Sequence, residues 1–253
     1  AFAGACFMRG IKTALVPTSL LAMVDASAGG KNGVNFLGFK NYIGTFKEPD
    51  YLFICPEFLK TLPYKEKVNG YVEMLKHGLI ADASHYNAVK FLFLKDGEKL
   101  EEKLIFDSIA IKQKHVDQDF RDNGVRKRLN FGHTIGHAIE SHSLVISPEN
   151  KSLSHGVSVA LGMVVESYIS TRVCGLSEEE LQEITIVLQR IIGSVEQDIP
   201  SLETLLPYLQ KDKKNNSGEI NFSLLKSIGV CEHDYVASLD LISEGLDYLR
   251  KLK

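Results

Sequence analysis

Tyr51-Leu52-Phe53-Ile54-Cys55-Pro56 marks the point where the chain changes character. An apolar run this short, closed by proline, reads as a buried strand, since strands span about four to eight residues and helices about ten or more. Thr13-Ala14-Leu15-Val16-Pro17 has the same form, and between the two the chain alternates brief apolar runs with Gly, Asn and Pro. That pattern predicts an α/β layer. Beyond Pro56 the apolar residues recur at helical spacing, which predicts helices over 64–80, 84–93, 98–118, 134–143, 155–173, 201–210 and 238–252. Another starts at Ser177-Glu178-Glu179-Glu180, a capping-box sequence ahead of Leu181, Ile184 and Leu188. A polar turn, Asp212-Lys213-Lys214-Asn215-Asn216-Ser217-Gly218, leads into a short strand at 219–224. Residues 1–62 therefore form an α/β portion and residues 63–253 a mainly α-helical domain. A cleft between two such units is a common ligand site.

With 253 residues, 44% of them apolar, the chain can bury one large core or two smaller ones. Acids and bases are mixed along it with a net charge of −3, which argues against nucleic-acid or membrane-surface binding. Cys6, Cys55, Cys174 and Cys231 lie far apart, so neither a disulfide framework nor a thiolate zinc site is expected, and a reduced, cytoplasmic setting fits. No apolar run reaches membrane-spanning length, and the first residues lack the layout of a signal peptide. The chain opens without Met, in mid-pattern, as a fragment would.

Gly132-His133-Thr134-Ile135-Gly136-His137 carries the chemistry. On a helix, His133 and His137 lie one turn apart on one face, so both imidazoles can address one metal ion. His155 downstream and Glu73 upstream are further candidates, because a zinc-like ion takes imidazole nitrogen and carboxylate oxygen and a catalytic site keeps one position open. Bland readings stand beside this one. Two histidines at that spacing are about as often ordinary helix residues; Glu73 and Lys76, three apart, ordinarily form a solvated ion pair; Lys112, Lys114 and His115 read as an exposed basic face; His155 can be a helix cap. What favours a site is the crowding of Arg126, Asn130, Glu140 and His142 around the pair, since burying such groups is costly unless they are partnered. Arg126 suits bidentate capture of a carboxylate or phosphate. Asp25-Ala26-Ser27-Ala28-Gly29-Gly30-Lys31-Asn32-Gly33-Val34-Asn35 reads as a Gly-rich turn whose backbone can approach an anion or cofactor, without the P-loop spacing.

Taken in order, residues 24–35, 70–78 and 130–140 and His155-Gly156 resemble the 3-dehydroquinate synthase family, together with Phe7-Met8-Arg9-Gly10, Val16-Pro17-Thr18-Ser19, Phe58-Leu59-Lys60-Thr61 and the Asp212-Lys213-Lys214 turn. The resemblance runs over essentially the whole chain. It implies a Rossmann-like NAD domain, incomplete here, ahead of a helical metal and substrate domain. It also implies cyclisation of 3-deoxy-D-arabino-heptulosonate 7-phosphate to 3-dehydroquinate with loss of phosphate, in the shikimate pathway, with NAD reduced and reoxidised in one turnover. Glu73, His133 and His155 become the ligands of Zn2+ or Co2+, and His137 a substrate-contacting neighbour. Lys76, Lys112, Arg126, Asn130 and one of Lys213 and Lys214 match substrate-binding positions. Arg9 matches an arginine lent by a neighbouring subunit, which implies a homodimer. Thr18, Ser19, Lys31, Lys40 and residues 58–61 match NAD-contacting positions, with Asp25 and Asn41 close to cofactor and substrate.

Two departures follow. Family members carry the front of the nucleotide domain, with a Gly-Gly-Gly loop for the NAD pyrophosphate, before the position of Phe2, so the chain as it stands is expected to hold metal and bind NAD poorly. Val157 stands where the family often has Glu, a position that is not a metal ligand, and a small effect is expected. The alternatives are another sugar-phosphate cyclase sharing the metal triad and NAD, a metal-dependent alcohol dehydrogenase, and a non-catalytic helical module. Gly29-Gly30-Lys31 and the Arg126/Asn130 pair favour the first-named family.

Overall fold

The computed structural model describes residues 1–36, 39–94, 100–147, 151–193, 195–210 and 219–252; the side chains of residues 35, 39–41, 93 and 94 also fall outside the description. The expected strands pair in parallel, β1 (Ala14–Leu15) with β4 (Tyr51–Leu52), Ala14 beside Tyr51 and Leu15 beside Leu52. A short helix, α1 (Phe2–Cys6), precedes them, and a π-helical turn, Ala22–Ala26, follows β1.

The Gly-rich stretch is only partly a turn. Gly29 and Gly30, at φ 90° and 67°, make the bend, and from Lys31 the chain is strand: β2 (Lys31–Phe36) pairs antiparallel with β3 (Phe39–Phe46), Lys31 opposite Phe46 and Val34 opposite Ile43. Gly and Asn within β2 mask its alternation, because both read locally as turn formers. Cross-strand pairing overrides that preference.

Among the described residues, helices α2 (Tyr64–Ala81), α3 (Ala83–Leu94), α4 (Glu102–Gln118), α5 (His133–Ile146), α6 (His155–Val173), α7 (Glu178–Ile192), α8 (Leu202–Gln210) and α9 (Leu239–Lys251) follow, with 3-10 turns at Pro56–Lys60 and Val125–Asn130 and a β-hairpin. α4 starts later than expected, and α5 runs beyond both expected ends. The capping box at the start of α7 is formed, Ser177 Oγ accepting from Glu180 N and Glu180 from Ser177 N. The strand expected at 219–224 is β5 (Asn221–Ser227); its partner β6 (Val230–Val236) was not anticipated, its charged Glu232, His233 and Asp234 concealing it.

α6 is buried on nearly all sides from Gly156 to Ser170 and lies at the centre, against α5, α7, α9 and α2, its apolar residues not being confined to one stripe. Its burial fixes its N-terminal residue, His155, beside α5 and α2. No helix among the described residues is long and apolar enough to cross a membrane.

Candidate metal and substrate site

Glu73 lies on the buried face of α2 with no solvent exposure, so its charge must be met inside the protein. Lys76, one turn on and also buried, ion-pairs with its Oε2. The solvated pair expected from spacing is therefore a buried one, because α2 is covered by α6, α4 and the π-helical turn. The other oxygen, Oε1, has no hydrogen-bond partner, and it lies 3.5 Å from Nε2 of His133 and 3.5 Å from Nε2 of His155.

Each imidazole is held by its other nitrogen. His133 Nδ1 is 3.1 Å from the Phe131 carbonyl and so donates to it, leaving Nε2 with a free lone pair. His155 Nδ1 is 3.1 Å from Glu140 Oε2. Burial and the charge of Lys76 lower the pKa of His133. Burial also disfavours charge on His155, but its hydrogen bond to Glu140 and the nearby negative charge of Glu73 outweigh it and raise its pKa to about 9. Glu73 stays well below the carboxylate range, burial notwithstanding, because of Lys76 and His133.

One ligand atom each from Glu73, His133 and His155 lies within 4.8 Å of the others. Bonds of about 2.0–2.2 Å at tetrahedral angles place ligand atoms roughly 3.3–3.5 Å apart, so the two 3.5 Å separations are those of a cage awaiting only small adjustments. An unpartnered buried oxygen between two imidazole nitrogens fits a divalent ion. His137 is beside this cage, its ring 5.0 Å from His133 and 5.9 Å from His155 between centroids. It also groups with Glu140 and His155. His142, one of the polar residues around the pair in sequence, packs instead on Tyr208, 6.0 Å away.

A cavity of about 400 Å³ opens over the cage, lined by Asp25, Lys31, Lys76, Lys112, Arg126, Asn130, His133, His137, Glu140 and His155 with Leu21, Ala26 and Leu129. Lys112 is buried, contrary to the exposed-face reading, because α4 packs on the π-helical turn; its Nζ lies 2.7 Å from Asp25 Oδ1. His115 is buried as well, and Lys114 is exposed. Asp25 is held low in pKa: burial opposes this and Lys112 prevails. Arg126 donates to the carbonyls of Phe120 (2.7 Å) and Gly29 (2.8 Å), tying its own turn, Val125–Asn130, to the Gly29-Gly30 bend. A Cβ at residue 29 would come within 2.4 Å of the guanidinium, so only glycine fits there. Lys31 ion-pairs with Asp122 at the cavity edge.

Of the residues singled out from sequence, Asp25, Lys31, Lys76, Lys112, Arg126, Asn130, His133, His137 and His155 converge here, with Glu73 behind them. Arg9, Thr18, Ser19 and residues 58–61 do not line the cavity; Leu59 is in the core, and Arg9 is exposed. The side chains of Lys40 and Asn41, and all of Lys213 and Lys214, lie outside the described residues. Glu140 had no assigned role in sequence; its i+3 spacing from His137, within the polar cluster, was the signal available.

Family models for the two halves of 3-dehydroquinate synthase match the chain, the N-terminal one over residues 1–69 and the C-terminal one over residues 70–215. The chain belongs to the 3-dehydroquinate synthase family. It is 41% identical over 252 residues to the 3-dehydroquinate synthase of Parabacteroides distasonis, covering 99% of this chain and 70% of that one. It is 43% identical over 183 residues to that of Pyrococcus furiosus, covering 72% of this chain and 52% of the relative. The fold is that of sugar-phosphate cyclases. A 2-epi-5-epi-valiolone synthase from Streptomyces hygroscopicus, solved with NAD+ and Zn2+ bound, superposes with a TM-score of 0.88 at 24% identity over 100% of this chain and 70% of the other. A 2-deoxy-scyllo-inosose synthase complexed with carbaglucose-6-phosphate, NAD+ and Co2+ gives 0.78 at 23% identity, over 98% and 69%.

Proposed function

We propose that the whole protein, with a complete nucleotide domain, converts 3-deoxy-D-arabino-heptulosonate 7-phosphate to 3-dehydroquinate with release of phosphate, using a recycled NAD and one divalent metal ion, and that the residues of this chain supply the metal and substrate site. The observation that carries the reading is the unpartnered Glu73 Oε1 poised 3.5 Å from two imidazole nitrogens at the base of a cavity rich in cations. Glu73, His133 and His155 hold the ion, Zn2+ or Co2+, which when bound acts as a Lewis acid toward the substrate hydroxyl that is to be oxidised by NAD.

The chain's own residues supply binding and charge. Lys31, Lys76, Lys112 and Arg126 face the cavity against Asp25 and Glu140, a balance suited to a substrate bearing both phosphate and carboxylate. Lys76 offsets the Glu73 charge and presents Nζ inward; Lys112 does the same with Asp25. Arg126, immobilised by two backbone carbonyls, keeps the rest of its fork for the substrate carboxylate region, and Asn130 beside it offers an amide. His137 shares the cage wall without being needed as a ligand, so it is placed to hold or move a proton at the substrate. One of Lys213 and Lys214 completes the substrate set. Thr18, Ser19, Lys31, Lys40, Asn41 and residues 58–61 serve NAD, and exposed Arg9 serves the phosphate in the other subunit of a homodimer.

A substrate panel on the protein with its nucleotide domain complete tests the assignment. The heptulosonate phosphate should release phosphate, and glucose 6-phosphate and sedoheptulose 7-phosphate should not, because neither offers a carboxylate to Arg126. The reverse preference would transfer the protein to another cyclase activity.

A further inference from the structure

Two of the three proposed metal ligands begin helices, and neither helix is capped by its own N-cap side chain. α5 starts at His133 after Gly132, and α6 starts at His155 after Ser154, whose hydroxyl makes no cap bond. The first turn of a helix leaves backbone N–H groups without intrahelical partners, ordinarily met by a local Ser, Thr, Asp or Asn. Here the partners come from other helices. Glu166, wholly buried in α6, accepts from Gly132 N at 2.6 Å and from Ile135 N at 3.0 Å, one oxygen for each. Asn69 on α2, one turn before Glu73, accepts from Gly156 N at 2.9 Å.

We propose that Glu166 and Asn69 are positioning residues for the metal ion: each clamps, from a neighbouring helix, the turn that carries one imidazole ligand. The proposal rests on the reading of Glu73, His133 and His155 as the metal site. Gly132 N and Ile135 N flank His133, so a carboxylate holding both fixes the backbone of the ligand between them, while the Phe131 carbonyl fixes its ring. Gly156 N adjoins His155 in the same way, and Glu140 fixes that ring. A carboxylate among Val164, Val165 and Ile169 is a costly choice for mere filling, since an apolar residue of similar size avoids the desolvation. At a helix N-terminus its charge is favoured by the helix dipole, which makes a buried anion tenable there. The three ligand-bearing helices thereby brace one another: α2 holds the start of α6, α6 the start of α5, and α5 returns Glu140 to His155.

Metal affinity separates positioning from simple stabilisation. Glu166→Gln keeps the size and turns one acceptor into an NH2 that faces a backbone N–H; Asn69→Ala removes an acceptor, and Asn69→Asp restores it when combined with Glu66→Gln, because Asn69 Nδ2 donates to Glu66 Oε2 at 3.1 Å and two carboxylates would repel there. Chelator-stripped proteins are titrated with Zn2+ against a chromophoric chelator and with Co2+ by visible absorption, alongside melting temperatures. Ile169→Ala, a core truncation on α6, serves as the stability control. Glu166→Gln and Asn69→Ala should each weaken Zn2+ binding by about ten- to a hundredfold, the range for groups that orient metal ligands, and perturb the Co2+ spectrum. Asn69→Asp with Glu66→Gln should recover most of the affinity, and Ile169→Ala should keep it all while melting lower. Wild-type affinity in folded Glu166→Gln and Asn69→Ala overturns the proposal, as does a loss no greater than that of Ile169→Ala at equal melting temperature. If Glu166→Gln does not fold, the Asn69 pair decides by the same criterion. Failure of the metal reading itself looks different: Glu73→Gln would then bind Zn2+ like the wild type.

Discussion

Glu73→Gln removes a charge that two structures depend on, the ion pair with Lys76 and the cage with His133 and His155, and the two losses have separate signatures. Lys76 is buried with Glu73 as its ion-pair partner. Breaking a buried pair from one side costs about 3–5 kcal/mol. At roughly 2–4 °C per kcal/mol for a chain of this size, metal-free protein should melt about 6–20 °C lower. The metal loss is read from the response to zinc. At a concentration about a hundredfold above Kd, zinc stabilises the wild type by roughly 2.7 kcal/mol, a rise of about 5–10 °C. If the lost ligand weakens binding about a hundredfold, the same zinc adds only about 0.4 kcal/mol, or roughly 1–2 °C. Calorimetric melts of chelator-stripped and zinc-supplemented protein measure both quantities. A lowered melting point with the full zinc response intact would make Glu73 a structural ion-pair partner and refute the cage.

His137→Ala should retain the metal and lose about two to four orders of magnitude in turnover, the span for a proton-transferring group; loss of zinc on dialysis would show that it is a ligand after all. Arg126→Lys should raise the substrate KM by an order of magnitude or more, because an ammonium cannot reach Gly29 O and Phe120 O and still offer a planar fork; an unchanged KM in steady-state phosphate release counts against carboxylate recognition. The raised pKa of His155, about 9, means that metal-free protein carries a proton there at neutral pH, and ligation must displace it. Zinc uptake near pH 7.5 should therefore release about one proton, measurable as buffer-dependent heat, and affinity should climb with pH until about 9. Affinity independent of pH over that window would contradict the role of His155.

The sequence yields its elements best where one periodicity dominates. α6 is legible in the sequence because the apolar run from Val157 to Val165 is too long for an ordinary strand, and the start of α7 because Ser177 and Glu180 carry their own cap. β2 and β6 were not, since Gly33 and Asn32 in one and the charges of the other give local preferences that cross-strand pairing overrules. In the site, His133 and His137 were visible as a pair because helical spacing alone makes them neighbours. Glu73 stands out as a possible ligand, but local spacing alone reads Glu73 with Lys76 as a solvated pair and Lys112 as an exposed cation, and only the packing of α2 and α4 buries them. Glu166 and Asn69 were invisible for a sharper reason: their partners are 34, 31 and 87 positions away, beyond the reach of any local rule.

The central proposal is that Glu73, His133, His155 and the cavity over them form the metal and substrate site of a cyclase in which nicotinamide oxidation is undone before product leaves. It is tested most directly by mixing the zinc-loaded protein with its nucleotide domain complete, NAD and the heptulosonate phosphate, and following phosphate and the absorbance of reduced nicotinamide together. The account predicts that phosphate accumulates over many turnovers with no net reduced cofactor. Reduced nicotinamide accumulating in step with substrate loss, without phosphate, would contradict it.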